Sequence, residues 1–158
     1  MNEERPVVIC FDGSDESRRA VSEAGRLFPG AHAIVLHVWQ SIESTVAYRY
    51  SAAGLTGALK QAMEELEASG QAAGQAVAEE GAQLARQAGL RADPVAEEAP
   101  EHVWSTVVDF LDRRDASVAV MGTRGLGPIE SRALGGFSSG VVHHSSHPVL
   151  LVPRPSDR

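Results

Sequence analysis

The stretch that most constrains the fold runs from Val118 to Val152, VAVMGTRGLGPIESRALGGFSSGVVHHSSHPVLLV. A short apolar run, Val118 to Met121, reads as a buried strand. A glycine-dense loop follows, with Gly122, Gly125, Gly127, Gly135 and Gly136. A helical pattern from about Phe137 to Ser145 and a second apolar run, Pro148 to Val152, complete the stretch. A strand that feeds a glycine loop opening a helix is one way to build an anion site from main chain alone. Glycine lets phosphate oxygens approach the backbone and tolerates the left-handed angles that turn N–H groups inward. The helix start adds unpaired N–H groups and the positive end of its dipole. On this reading the stretch is a phosphate cradle. Glycine-rich loops are also common turn punctuation, so that reading stands beside it.

Upstream, Pro6 to Phe11 (PVVICF) reads as a first strand delivered into the turn Asp12-Gly13-Ser14. Ser14 or Asp15 can cap a helix that carries Ala20, Val21, Ala24, Leu27 and Phe28 on one face, and Pro29-Gly30 stops it. Ala33 to Trp39 (AIVLHVW) is the second strand, and Gln40 to Gly57 has no clear period and reads as a loop. An alanine-rich helix is expected from about Ala58 to Ala88, with Leu59, Met63, Leu66, Ala73, Val77 and Leu84 as its apolar stripe. Gly70, Gly74 and Gly81 are expected to weaken it, at about 1 kcal/mol each relative to Ala if exposed, and to allow a break or bend near Gly70. Gly89 suits its C-cap. Leu90 to Ala99 is a weaker strand whose Pro94 fits a sheet edge. Pro100 and Glu101 then open a helix burying Val103, Val107 and Leu111, and Ser117 to Met121 is the fourth strand. This alternation predicts an α/β fold: a parallel sheet with helices on both faces and right-handed crossovers. Such sheets bind ligands at the carboxyl ends of strands where the winding reverses.

The 158 residues fit one domain with a single core. A net charge of −7 and a pI near 5.3 argue against a general nucleic-acid binder, which needs a basic face to displace counterions. The lone Cys10 leaves no disulfide framework. No apolar stretch has the length to span a bilayer, and the start MNEERP lacks a signal-peptide pattern, so a soluble cytoplasmic protein with no membrane contact is expected. No catalytic set emerges. There is no GxxxxGK[ST] loop, no nucleophile with a positioned base and no HExxH helix. Asp12-Gly13-Ser14 only partly echoes the SGGxDS loop of ATP pyrophosphatases. His143, His144 and His147 raise a metal reading, but His147 precedes Pro148 and is pushed out of helical geometry, so no metal is expected there. His37, inside a strand, reads as a satisfied core histidine.

Gly122, two residues, Gly125, nine residues, Gly135 resembles the nucleotide-binding signature of the universal stress protein family, and the resemblance covers nearly the whole chain. It implies a single domain over residues 1–158 with a Rossmann-like, adenine nucleotide alpha hydrolase-like five-stranded parallel sheet of order 3-2-1-4-5. In that order Asp12 meets Gly122. The resemblance gives Asp12 a carboxylate role toward ribose hydroxyls or the adenine amine; from sequence alone it reads equally as a capping or turn aspartate. Val38 matches the position whose backbone meets adenine, and Gly122, Arg124, Gly125, Gly135, Gly136, Phe137 and Ser138 match the loop around ribose and phosphates. Gly136 stands where Ser or Thr normally follows the third glycine, with Ser138 and Ser139 shortly after. Glu130 and Ser131 lie where many relatives carry basic residues, and Arg124 and Arg132 offset Glu130 if they point inward. Tyr48 and Tyr50 read either as an adenine lid or as packing residues. The resemblance implies a cytoplasmic homodimer binding ATP, with or without Mg, whose occupancy is a signal in stress response and which hydrolyses ATP weakly at most. The strand at 148–152 then joins two copies across a twofold axis. The alternative is a nucleotide-free dimeric interaction module of the same fold, with the glycine loop as a plain turn.

Overall fold

A computed structural model describes residues 4–41, 57–123 and 134–155. Uninterrupted apolar, β-branched sequence makes Val7–Cys10 into β1, buried along its whole length. Gly13, at φ +81, turns the chain, and Ser14 caps α1, Asp15–Leu27, by accepting from the Ser17 N–H. The acidic residues Asp15 and Glu16 sit in its first turn, where the helix dipole favours them. Then follow β2, His32–Trp39; α2, Gly57–Gln87; β3, Arg91–Glu98; α3, Val103–Arg114; β4, Val118–Gly122; α4, Gly136–His144; and β5, Val149–Val152. The strands form one parallel sheet in the order β3-β2-β1-β4-β5. This is the expected 3-2-1-4-5 arrangement, with Pro94 on an edge strand.

Two apolar clusters fill the faces of the sheet. Val7, Ile9, Val21, Val35 and Val120 meet residues of α1 and α2 on one side. Val8, Leu36 and Met121 pack on the other, against Val107, Phe110 and Leu111 of α3 and Val141 of α4. β1 is therefore central in both senses, flanked by strands and covered twice.

Three expectations need correction. The second half of α2 faces the sheet through small residues, Gly74, Ala78, Gly81, Ala82 and Ala85, all buried. Of the stripe expected there, Val77 and Leu84 are half-buried and pack against the core cluster as expected, whereas Leu66 is 56% exposed and Ala73 is exposed. The reason is shape. A Cβ on Gly74 would stand 2.9 Å from Trp39 Cδ1, and one on Gly81 would stand 2.7 Å from both the Phe11 ring and Val35 Cγ1. These glycines admit bulky strand residues and are no weak points of the seam. Second, α2 runs without interruption through Gly70. Third, α3 starts at Val103 with His102 as N-cap, so Pro100 and Glu101 precede it. The Leu59 side chain and all but the ends of the Gln40–Gly57 loop, Tyr48 and Tyr50 included, lie outside the described residues.

Gly89 closes α2 as expected, at φ +92, a region in which side chains are strained. Its N–H donates to Arg86 O, and the Leu90 N–H reaches back to Ala85 O at 3.0 Å.

Candidate functional site

β1 and β4 are neighbours, yet the chain leaves them on opposite courses: β1 leads to α1 and out to β2, whereas β4 leads to α4 and β5. A crevice lies at their carboxyl ends, the place where sheets of this kind bind ligands. It measures about 270 Å³, just below the usual range of roughly 300–1,000 Å³ for small-molecule sites. Asp12 after β1, His37 and Val38 near the end of β2, Gly122 at the end of β4 and Phe137 in the first turn of α4 line it. Asp12 and Gly122 thus meet as expected. The floor is apolar, with Cys10, Leu36 and Met121 from the strands and Val103 and Val107 from α3.

The Asp12 carboxylate is held in a specific pose. Its Oδ1 accepts from the Ser14 N–H at 2.9 Å, closing the turn around Gly13. Oδ2 has no hydrogen-bond partner among the described residues. The turn role and a ligand role are therefore compatible in one side chain, with one oxygen for each.

The glycine loop is fastened at both ends. The Gly135 N–H donates to Thr123 O at 3.1 Å, and Ser138 Oγ donates to Gly122 O at 3.0 Å. Ser138 is fully buried, so its hydroxyl ties the first turn of α4 to the end of β4. Gly135 is the N-cap of α4 and offers no side-chain cap, leaving the first N–H groups of the helix available to an outside acceptor. Gly135 has φ −61, and Gly136 is not among the residues at positive φ. What glycine supplies at Gly136 is bare backbone, for a Cβ there would meet nothing within 4 Å among the described residues. Arg124, Gly125, Gly127, Glu130, Ser131 and Arg132 lie outside the described residues.

The lining residues that the sequence did not assign to the site include His37 and Cys10. His37 is half-buried, and its Nδ1 lies 2.8 Å from Phe11 O. A carbonyl only accepts, so Nδ1 carries the proton, and in the neutral ring Nε2 is an acceptor. A histidine between Leu36 and Val38 reads as core, and its place near the carboxyl end of β2 brings it to the crevice. Burial pushes the Cys10 thiol up to about 12, and the negative charge of Asp12 adds to that shift. It is an inert thiol that packs as a small apolar group.

His144 and His147 have structural partners. His147 Nδ1 lies 2.9 Å from Ala116 O and Nε2 lies 3.0 Å from Asp112 Oδ1, while His144 stacks on Trp104 with ring centres 4.3 Å apart. Among the described residues no group of three or more His, Cys, Asp or Glu is placed to hold a metal ion. No described helix is long and apolar enough to cross a membrane.

The model of the universal stress protein family matches residues 4–153. The chain belongs to the universal stress protein family. A relative from Thermus aquaticus, described as the universal stress protein in the QAH/OAS sulfhydrylase 3′ region, is 30% identical over 150 residues, covering 94% of this chain and 98% of its own. Among solved structures, that of the protein MJ0577 superposes with a TM-score of 0.78 at 16% identity, covering 98% of this chain and 99% of that one. A universal stress protein in complex with cAMP gives a TM-score of 0.61 at 23% identity, over 95% and 97% of the two chains. The universal stress protein of Archaeoglobus fulgidus in complex with dAMP gives 0.59 at 19%, over 93% and 96%. These structural likenesses concern the fold of this family member.

Proposed function

We propose that this universal stress protein family member binds an adenine nucleotide in the crevice between β1 and β4. The observation that carries the reading is the convergence of Asp12, Val38, Gly122 and Phe137 on one cavity from four remote parts of the chain. The apolar floor suits a purine ring, with the Val38 main chain at its edge. The free Asp12 Oδ2 suits the ribose hydroxyls, and the uncapped start of α4, with Gly135, Gly136 and Phe137, suits phosphate. Ser138 contributes by holding the two ends of the loop together, and the family resemblance assigns Arg124 and Gly125, outside the described residues, to the phosphates. Complexes of two relatives of the same fold, one with cAMP and one with dAMP, support an adenine ligand.

In the finer reading the ligand is ATP, with or without Mg, and the protein is a one-domain cytoplasmic homodimer whose occupancy signals stress. β5 is the last strand of the sheet, and its outer edge, beside the half-buried Leu150 and Leu151, suits pairing with a second copy.

Mass spectrometry of nucleotide released on denaturation, paired with calorimetric titration of ATP and AMP, tests the ligand. Carry-over or saturable binding is expected. Absence of both would leave the glycine loop as a turn in a nucleotide-free interaction module. For assembly, Leu150→Asp and Leu27→Asp, whose side chains border the same surface concavity beside β5, are expected to give folded monomers by light scattering. A dimer surviving both places the interface elsewhere.

A further inference from the structure

A large cavity among the described residues lies at the opposite end of the sheet, where the strands begin. It measures about 880 Å³ and is flanked by Arg5 ahead of β1, His32 at the head of β2 and Arg91 at the head of β3. Arg86 from the last turn of α2 and Arg113 and Arg114 from the last turn of α3 complete its basic wall. Five arginines thus line one concavity, against the three carboxylates of Glu4, Asp93 and Asp115, in a chain whose net charge is −7.

Part of this clustering has a structural cause. Helices α2 and α3 point their carboxyl ends here, and cations near those ends are favourable. Arg5 Nε donates to Asp115 O at 3.0 Å, Arg86 Nε to Ala92 O at 2.9 Å and Arg91 Nε to Gly30 O at 3.0 Å. Those bonds fix three guanidinium planes without using all their donors. Arg5 Nη1, Arg86 Nη2 and Arg91 Nη1 have no acceptor among the described residues. Arg114 has no hydrogen bond or ion pair among them at all; its guanidinium lies 5.3 Å from the centre of the Phe110 ring.

The carboxylates present hold these cations weakly. Arg5 pairs with Asp115 and Arg91 with Glu4, but all four side chains are more than half exposed. Arg86 pairs with Glu79 and Arg113 with Glu97, while His32 Nε2 lies 2.9 Å from Asp93 Oδ2. Exposed pairs of this kind contribute roughly 0–1 kcal/mol, so an incoming ligand of higher charge density displaces them readily. Five arginines against three lining carboxylates leave an excess of positive charge in the concavity, which favours anions.

We propose that this cavity is a binding site for a small polyanion of the oligophosphate class, separate from the nucleotide crevice. Spread of charge favours an extended ligand over a single phosphate. β3 and β1 have β2 between them, so Arg91 and Arg5 are anchored two strand spacings apart, about 10 Å. Guanidinium forks on fixed stems match phosphate oxygens in pairs. The acidic remainder of the surface turns away nucleic acid, whose binding needs a long basic track.

The test is a residue-resolved NMR titration of the full chain with sodium tripolyphosphate at low ionic strength. Saturable shifts are expected at the amides of Arg5, Arg91, Ala92, Arg114 and Asp115, fading as salt is added. Arg114→Gln combined with Arg91→Gln is expected to raise the dissociation constant roughly tenfold or more, with the amide spectrum otherwise retained. Inorganic phosphate is expected to bind at least about tenfold more weakly than tripolyphosphate. The proposal is overturned if the shifts map to Gly122, Gly135 and Phe137, if the double variant binds as well as the parent, if one phosphate binds as tightly as three, or if no shift saturates.

Discussion

Gly81→Ala sets helix propensity against packing, and the structure decides between them. Alanine is the better helix former by about 1 kcal/mol, so in an exposed helix the change would stabilise. Here the new Cβ would stand 2.7 Å from Phe11 Cγ and Cδ1 and from Val35 Cγ1. Neither neighbour can give way cheaply: Phe11 is 2% exposed and Val35 is fully buried in the sheet. Overpacking of a tight core costs about 1–3 kcal/mol, and two rigid partners on one methyl place this case near the top of that range. The net loss is then about 2 kcal/mol. In a domain of this length that lowers Tm by about 4–8 °C. Gly70→Ala is the internal control. Its Cβ would lie 3.2 Å from the rim of the half-buried Trp39 ring, and its stability is expected within about 0.5 kcal/mol of the parent. Thermal unfolding of both variants by circular dichroism reads the difference. If Gly81→Ala melts with or above Gly70→Ala, the small-residue seam is not what sets the approach of α2 to the sheet.

Cys10 in the folded protein is expected to react with a disulfide reagent at pH 8 no faster than the chain unfolds; rapid labelling would place the thiol in solvent. The folded thiol keeps its proton above the ordinary value of 9.0, so the stability it contributes is complete below that pH and is lost as pH rises toward 12. Cys10→Ala should flatten the alkaline fall in stability, and an identical pH profile would contradict the assignment. Gly140→Ala should push Trp104 out of its stack with His144, since the Cβ would stand 2.4 Å from Trp104 Cγ. Loss of near-ultraviolet circular dichroism would report that displacement, and an unchanged spectrum would refute it.

The sequence carried the fold well because its signals were local and strong. Val7–Cys10 and Val118–Met121 are unbroken apolar runs, Ser14 and Gly89 mark helix ends, and Pro94 announces an edge. The seam of α2 was misread because a glycine seen alone looks like a helix breaker. Its use becomes visible only with Trp39 and Phe11 across the gap. At the site, the meeting of Asp12 with Gly122 follows from strand order, which the family resemblance supplied and local pattern did not. His37 was read as a satisfied core histidine, and its ring is half-buried and bonded to Phe11 O; that it also lines the crevice follows from the strand order and not from the local pattern. The arginine cavity was invisible for a related reason: Arg5, Arg86, Arg91 and Arg114 are scattered in sequence and gathered only by the return of every strand to the same end.

A crystal of the protein soaked with ATP tests the central claim most directly. The account predicts adenine against the Val38 main chain over the apolar floor, Asp12 Oδ2 within hydrogen-bond distance of the ribose hydroxyls, and phosphate at the N–H groups that open α4. Nucleotide bound elsewhere, or a crevice left empty at saturating ATP while Asp12 keeps only its bond to the Ser14 amide, would contradict it.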